Sequence, residues 1–193
     1  MSYTFPGFND CQKAAKDKKI VPKLKKAAMT ESEIIEHYNL APHPEGGFYR
    51  RTYASPVTTA YRGGCRPVCT AILFLLTAGQ YSRLHRIPQD EIWHFYLGES
   101  LRLAMITPDG ESREILLGQD ILAGQIVQFS VPAGSWFGAT PASRSAYCFV
   151  GCTVAPGFRM DELELGEGKE LIARFPSARH VIEEFCPPHR FQP

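Results

Sequence analysis

No stretch of the 193 residues approaches the ~20 consecutive apolar residues that a membrane-spanning helix needs. The N-terminus also lacks the apolar run of a secretory leader. A soluble, cytoplasmic protein with no membrane partner is the expectation. Charge of one sign is scarce as well: 21 Lys and Arg stand against 20 Asp and Glu, a formal net charge of +1. Such a surface has no overall positive field to gather nucleic acid, and no nucleic-acid partner is expected. Phosphate-loop chemistry is missing too. The Gly-Gly at 46–47 is not followed by Lys-Ser/Thr, and no G-x-G-x-x-G spacing occurs. Long helical periodicity, internal repeats and low-complexity tracts are absent.

What charge there is lies unevenly. Residues 1–28 hold seven lysines against Asp10 and Asp17, a balance of +5 that leaves −4 for the rest. Residues 1–29 read as a basic arm, solvated or docked on an acidic partner. Residues 30–175 read as one folded domain, and 176–193 as a tail that packs on it or is partly disordered. The apolar share, 44%, suffices for a core. Six cysteines include two C-x3-C pairs, 65/69 and 148/152, both in runs that read as strands. On a strand such a pair shares a face but sits ~13 Å apart, too far for one ion without a bend. With nothing to indicate secretion, buried free thiols are expected.

The dominant pattern is of short strands. Thr30 and Glu33 stand at capping-box spacing before an apolar pair and predict a helix over 31–38. Strand-like runs follow: "GFYRRTYAS", "CTAILFLL", "EIWHFYLG", "LRLAMITP", "SREILLG", "QIVQFSVP" and "AYCFVGCTV", parted by turns such as "TPDGE" and "PAGS". Two short helices are expected near the C-terminus, in "ELIARFP" and "ARHVIEEF". The chain is therefore mainly all-β, a sandwich or barrel with short terminal helices.

One stretch carries chemistry. In "GQYSRLHRIPQDEIWHFYLG", Gly79, His85, Glu91 and Gly98 fall at the spacings of the first cupin signature, G-x5-H-x-H-x3-E-x6-G, except that Ile87 takes the second histidine position. In the second signature Pro132-Ala133-Gly134 fits, but Phe137 stands at the histidine position and Pro141 at the asparagine. With "PHPEGGFYRRTYAS" and "GCTVAPGF", these stretches resemble cupin family 5, a small-cupin family, over residues from about 34 to 172. Leu163 and Arg51 depart from the family pattern, which favours Phe and an acidic residue there. The resemblance implies a cupin double-stranded β-helix, or jelly-roll barrel, with His85 and Glu91 facing into an open mouth. It also implies a homodimer.

A firmly held zinc or non-haem iron takes three or four N, O or S ligands. His85 and Glu91 supply two, while Ile87 and Phe137 have no lone pair to offer. Alternation from Glu91 places Trp93 and Phe95 inward and His94 outward unless a bulge intervenes. No cofactor is expected, beyond at most a weakly bound divalent ion on His85 and Glu91. A histidine beside a carboxylate serves instead as an acid or base. His85, Glu91 and Tyr147 are the candidate catalytic residues; Tyr49 and Tyr96 are further proton donors. His43, Glu45, Arg50, Ser82, Trp93, His94, Tyr96, Phe129 and Phe137 are candidate ligand contacts, the rings as stacking walls. Arg50, Arg51, Arg62, Arg66 and Arg83 offer guanidinium forks for phosphate.

Four readings stay open, the blandest a scaffold or storage role with no ligand. The expected partner is a small phosphorylated ligand, a nucleotide or nucleotide sugar. It is either converted by a metal-independent epimerase or isomerase, as in the dTDP-4-dehydrorhamnose epimerases of the same superfamily, or held by a non-catalytic sensing module. The third reading is a metal-dependent sugar-phosphate isomerase or dioxygenase.

Overall fold

A computed structural model describes residues 29–187; the expected basic arm lies, save for Met29, outside the described residues. The chain opens with α1 (Glu31–Tyr38), closed at its start by the expected capping box: the Thr30 hydroxyl accepts from the Glu33 amide, and the Glu33 carboxylate accepts from the Thr30 amide. Strands β1 (Ala41–Pro42), β2 (Phe48–Ala54), β3 (Thr58–Tyr61), β4 (Gly64–Pro67), β5 (Thr70–Leu76), β6 (Ser82–Arg86) and β7 (Asp90–Gly98) follow. Then come β8 (Leu101–Ile106), β9 (Ser112–Leu117), β10 (Gln128–Val131), β11 (Trp136–Pro141), β12 (Cys148–Ala155) and β13 (Glu164–Leu165). Helices α2 (Gly168–Arg174) and α3 (Arg179–Phe185) end the described chain.

The strands form two antiparallel sheets and a separate β3–β4 hairpin. The first sheet runs β1-β2-β5-β12-β7-β10 and the second β13-β6-β11-β8-β9. Alternation decides which side chains meet between them. Along β12, Cys148, Val150 and Cys152 point inward and pack with Phe74, Trp93, Leu103 and Phe137, while Phe149 points out. The outer face of the second sheet is covered by α2 and α3, whose Leu171, Val181, Ile182 and Phe185 bury Leu84, Ala104, Ile106 and Trp136. The outer face of the first sheet is covered in part by α1, through Ile34 on Leu75 and Phe149. No helix among the described residues is long and apolar enough to cross a membrane.

Some expectations need correcting. Cys65 lies in β4 and is exposed, and Cys69 sits between β4 and β5, so "CRPVCTAILFLL" is not one strand and those two thiols are not buried. Cys148 and Cys152 are buried and free, as expected. The pairing of β12 with β7 shifts register between Phe149 and Val150, opposite Phe95 and Leu97. Alternation already places Tyr96 on the outer face, against Phe149, and the irregularity turns the next residue, Leu97, to that face as well.

Candidate functional site

The site begins with the loop between β1 and β2. Pro42 and Pro44 restrict its backbone, and Gly46 and Gly47 take φ of +111° and +73°. A Cβ on Gly46 would stand 2.3 Å from the Tyr81 carbonyl oxygen, so only glycine lets the loop lie on β6. The Arg83 amide then donates to the Glu45 carbonyl at 2.7 Å, and the Gly46 amide to the His43 carbonyl at 3.0 Å. This seating sends His43 and Glu45 into the cavity that His85 of β6 and Glu91 of β7 already face.

The four groups are buried and interlocked. His85 Nδ1 lies 2.7 Å from the Arg83 carbonyl, which can only accept, so Nδ1 carries a proton. His85 Nε2 lies 3.1 Å from Glu45 Oε2, and the Ser82 hydroxyl donates to Glu45 Oε1 at 2.9 Å. The short Nε2–Oε2 contact therefore holds one proton. Burial decides where it resides: it pushes the Glu45 carboxyl up, against His43 and the Ser82 hydroxyl, and pushes the His85 imidazole down, against Glu91 and the Arg83 carbonyl. Both directions favour the neutral pair, an acid Glu45 donating to a neutral His85. Burial likewise lowers His43, whose Nδ1 accepts from the Glu45 amide at 3.4 Å and lies 3.6 Å from Glu45 Oε2. Glu91 is pushed up to about 7, chiefly by burial. The Cys152 thiol, itself held well above its usual range by burial, hydrogen-bonds Glu91.

Tyr49, Ile72, Ile87, Val154, Phe158 and Leu163 wall the cavity, and Arg51 stands on it. The enclosed space is about 30 Å³, room for a water molecule or a small functional group. Both residues that depart from the family pattern, Arg51 and Leu163, thus lie at the cavity. Over it passes the chain from β12 to β13, pinned from the β3–β4 hairpin. Arg66 Nη1 and Nη2 each donate to Glu162 at 2.6 Å, and Gln89 donates to the same carboxylate at 2.8 Å. On the far side of Ile87 an open cleft of about 570 Å³ takes in Arg62, Arg86, Asp161, Glu162 and Glu164.

Two positions that the first and second signatures give to histidine hold hydrocarbon side chains here. Ile87 lines the cavity, and the Phe137 ring packs on His85 at 4.1 Å between centroids. The Nε2 lone pair of His85 is engaged by Glu45. Among the described residues no three His, Cys, Asp or Glu side chains converge to hold an ion.

The structure gathers His43, Glu45, Ser82, His85 and Glu91, and leaves the other expected residues elsewhere. Tyr147 lies on the outer face, where its hydroxyl donates to the Met29 carbonyl at 2.8 Å, so it is no acid for this cavity. Tyr49 is the tyrosine that lines it. Tyr96 is 43% exposed on the outer face. His94 also faces outward, bonded to Thr153 Oγ1 at 3.0 Å and Gln128 at 2.9 Å. Trp93 and Phe137 are core, with Phe129 packed against it; none of the three lines the cavity. Arg50 is spent on the Tyr38 carbonyl. Thr70, Cys152 and Phe158 also line the cavity, though no sequence motif marks them. The alternation of β12 could have shown Cys152, since Trp93, its cross-strand partner, faces inward too.

The comparisons agree with this architecture. The family described as Cupin superfamily (DUF985) matches residues 32–166. A Shewanella oneidensis protein of known structure is 38% identical, with 83% of this chain and 99% of that one covered and a TM-score of 0.76. A hypothetical protein from Leishmania major is 30% identical over 82% of this chain and 99% of its own, with a TM-score of 0.77. A cupin 2 conserved barrel domain protein from Rhodopseudomonas palustris, 15% identical over 84% and 86% at a TM-score of 0.50, shares the fold alone. No curated protein matches the chain. A barrel of two antiparallel sheets, a histidine and a glutamate at the signature spacings, and a family match over most of its length make this chain a member of cupin family 5.

Proposed function

We propose that this cupin moves a proton on a small anionic organic molecule without a metal, as an isomerase or epimerase does. The observation that carries the reading is the 3.1 Å contact of Glu45 with His85 in a buried cavity beside Glu91, whose carboxyl burial pushes up to about 7. A base and an acid poised near neutrality are what proton abstraction next to a carbonyl requires. Ionised Glu91 accepts the proton from the carbon beside the carbonyl. The Glu45–His85 pair supplies one to the carbonyl oxygen. Return of both protons, with the carbon protonated on its other face or at the neighbouring position, yields the epimer or isomer and restores the site.

The ligand class follows from size and charge. The cavity admits only the reacting end of a substrate, so the body of a sugar phosphate or nucleotide sugar would lie outside it. Arg51 on the cavity and Arg62 in the adjoining cleft have no ion-pair partner among the described residues, which favours a phosphorylated body. A non-catalytic nucleotide-sensing module would need the same arginines and no shared proton. The metal-dependent reading is disfavoured by Ile87 and Phe137 at two signature histidine positions and by the engagement of His85 Nε2 with Glu45.

Incubation in deuterated water with a panel of 4-keto nucleotide sugars and keto-sugar phosphates tests the proposal. Deuterium should enter the carbon beside the carbonyl, and His85→Ala or Glu91→Gln should abolish uptake. Arg51→Gln should raise KM about tenfold with kcat nearly unchanged, since it would remove one charged hydrogen bond from binding alone. No uptake across the panel, with nucleotides raising the melting temperature, would replace the enzyme by the sensing module.

A further inference from the structure

The cover of the cavity is built unlike its walls. Ile72, Glu91 and Cys152 stand on strands of the first sheet, and His85 on the second. Residues 156–163, "PGFRMDEL", belong to neither sheet, yet their Phe158 and Leu163 close the cavity. Among the described residues, no side chain of this strap joins the three hydrophobic clusters, and Met160 is 41% exposed. Segments with few buried apolar contacts open at low free-energy cost.

Polar contacts hold the strap instead. The Gly157 amide donates to the Pro67 carbonyl at 2.8 Å, and the Phe158 amide to the Thr70 hydroxyl at 2.9 Å. The two-pronged bond of Arg66 to Glu162 is the strongest, with both donors at 2.6 Å and Arg66 only 4% exposed. Arg66 also donates to the Gly157 carbonyl at 3.4 Å, so one guanidinium grips both ends of the strap. It does so from β4, in the hairpin that stands apart from the two main sheets.

We propose that residues 156–163 are a lid through which the cavity is entered, latched shut by Arg66 on Glu162. Opening uncovers His85 and Glu91, and closing presses Phe158 and Leu163 onto whatever has entered. The other boundaries are less free to move. The strands are held by sheet hydrogen bonds, and the β1–β2 loop is seated on β6 through Gly46. That the entering group is the reacting end of a substrate rests on the isomerase reading; the motion does not.

The Cys152 thiol reports opening, because it lines the cavity and is otherwise buried. Cys148, on the same strand and also buried, does not line the cavity and serves as the control. Iodoacetamide labelling of the full chain at rising urea, below the unfolding transition, is read for each thiol by peptide mass spectrometry. Cys152 labelling should depend weakly on urea, since a lid exposes little surface, and Cys148 labelling steeply, since only unfolding frees it. Arg66→Met should speed Cys152 labelling without urea by at least about tenfold, the worth of one charge-assisted hydrogen bond. If that variant does not fold, Glu162→Gln, which leaves Arg66 a neutral acceptor, carries the same test. Equally steep urea dependence at both thiols would overturn the proposal, because the cavity would then open only by unfolding. Weakly dependent Cys152 labelling that the latch variants leave unmoved would overturn it too, by placing the entrance elsewhere. No substrate is used, so the lid and the isomerase reading fail separately.

Discussion

Glu91→Gln should flatten the pH dependence of stability on its alkaline side. In the fold the Glu91 pKa is about 7, against 4.5 for an ordinary glutamate. The folded state thus holds this proton more tightly than the unfolded chain does. The associated stability is full below about pH 4.5 and is lost as pH rises through about 7. At 1.36 kcal/mol per unit, the loss is about 3 kcal/mol. Glutamine stays neutral at every pH and cannot show it. Urea unfolding followed by circular dichroism, at intervals from about pH 4.5 to about pH 8, reads the difference. The wild type should lose about 3 kcal/mol more than the variant over that span, whatever their relative stabilities at the acid end. His43 and His85, whose pKa values are lowered, act in the opposite sense: their stability is lost as pH falls below about 6.5, and both proteins keep them. Curves that run parallel from pH 5 to 8 would mean that Glu91 ionises as if solvated, and the closed-cavity account would be wrong.

Gly46→Ala should cost more than about 2 kcal/mol in the same unfolding assay, because its φ of +111° and the 2.3 Å approach to the Tyr81 carbonyl both exclude a side chain. It should also withdraw Glu45 from His85, and with it any proton-transfer activity. Arg66→Met should lower stability by about 2 kcal/mol, measured as a fall in the urea midpoint, by leaving the Glu162 carboxylate with Gln89 alone.

Much of this fold is written as alternation, and alternation fails where both faces of a strand are buried. β7 has one face in the core, with buried Glu91 and Trp93 alternating with less buried neighbours, and reads clearly. β11, "WFGATP", is nearly buried throughout, with the core on one side and the C-terminal helices on the other, so no period of two marks it. The β3–β4 hairpin is missed for the opposite reason. "TTAY" and "GCRP" lie mostly at the surface and have little apolar pattern. His85 and Glu91 are legible because spacing alone defines them. Glu45 is legible only as a polar loop residue. Its partnership with His85 depends on two glycines with positive φ and on the amide of Arg83, which is tertiary information. Tyr147 offers a hydroxyl, yet it precedes inward-facing Cys148 and so faces outward.

The claim on which the chemistry rests is that burial keeps the Glu45–His85 pair neutral. Nitrogen-detected NMR of the His85 ring at neutral pH measures this directly. The account requires a neutral imidazole with its proton on Nδ1 and an unprotonated Nε2 accepting from Glu45. An imidazolium protonated at both nitrogens, paired with an ionised Glu45, would contradict it.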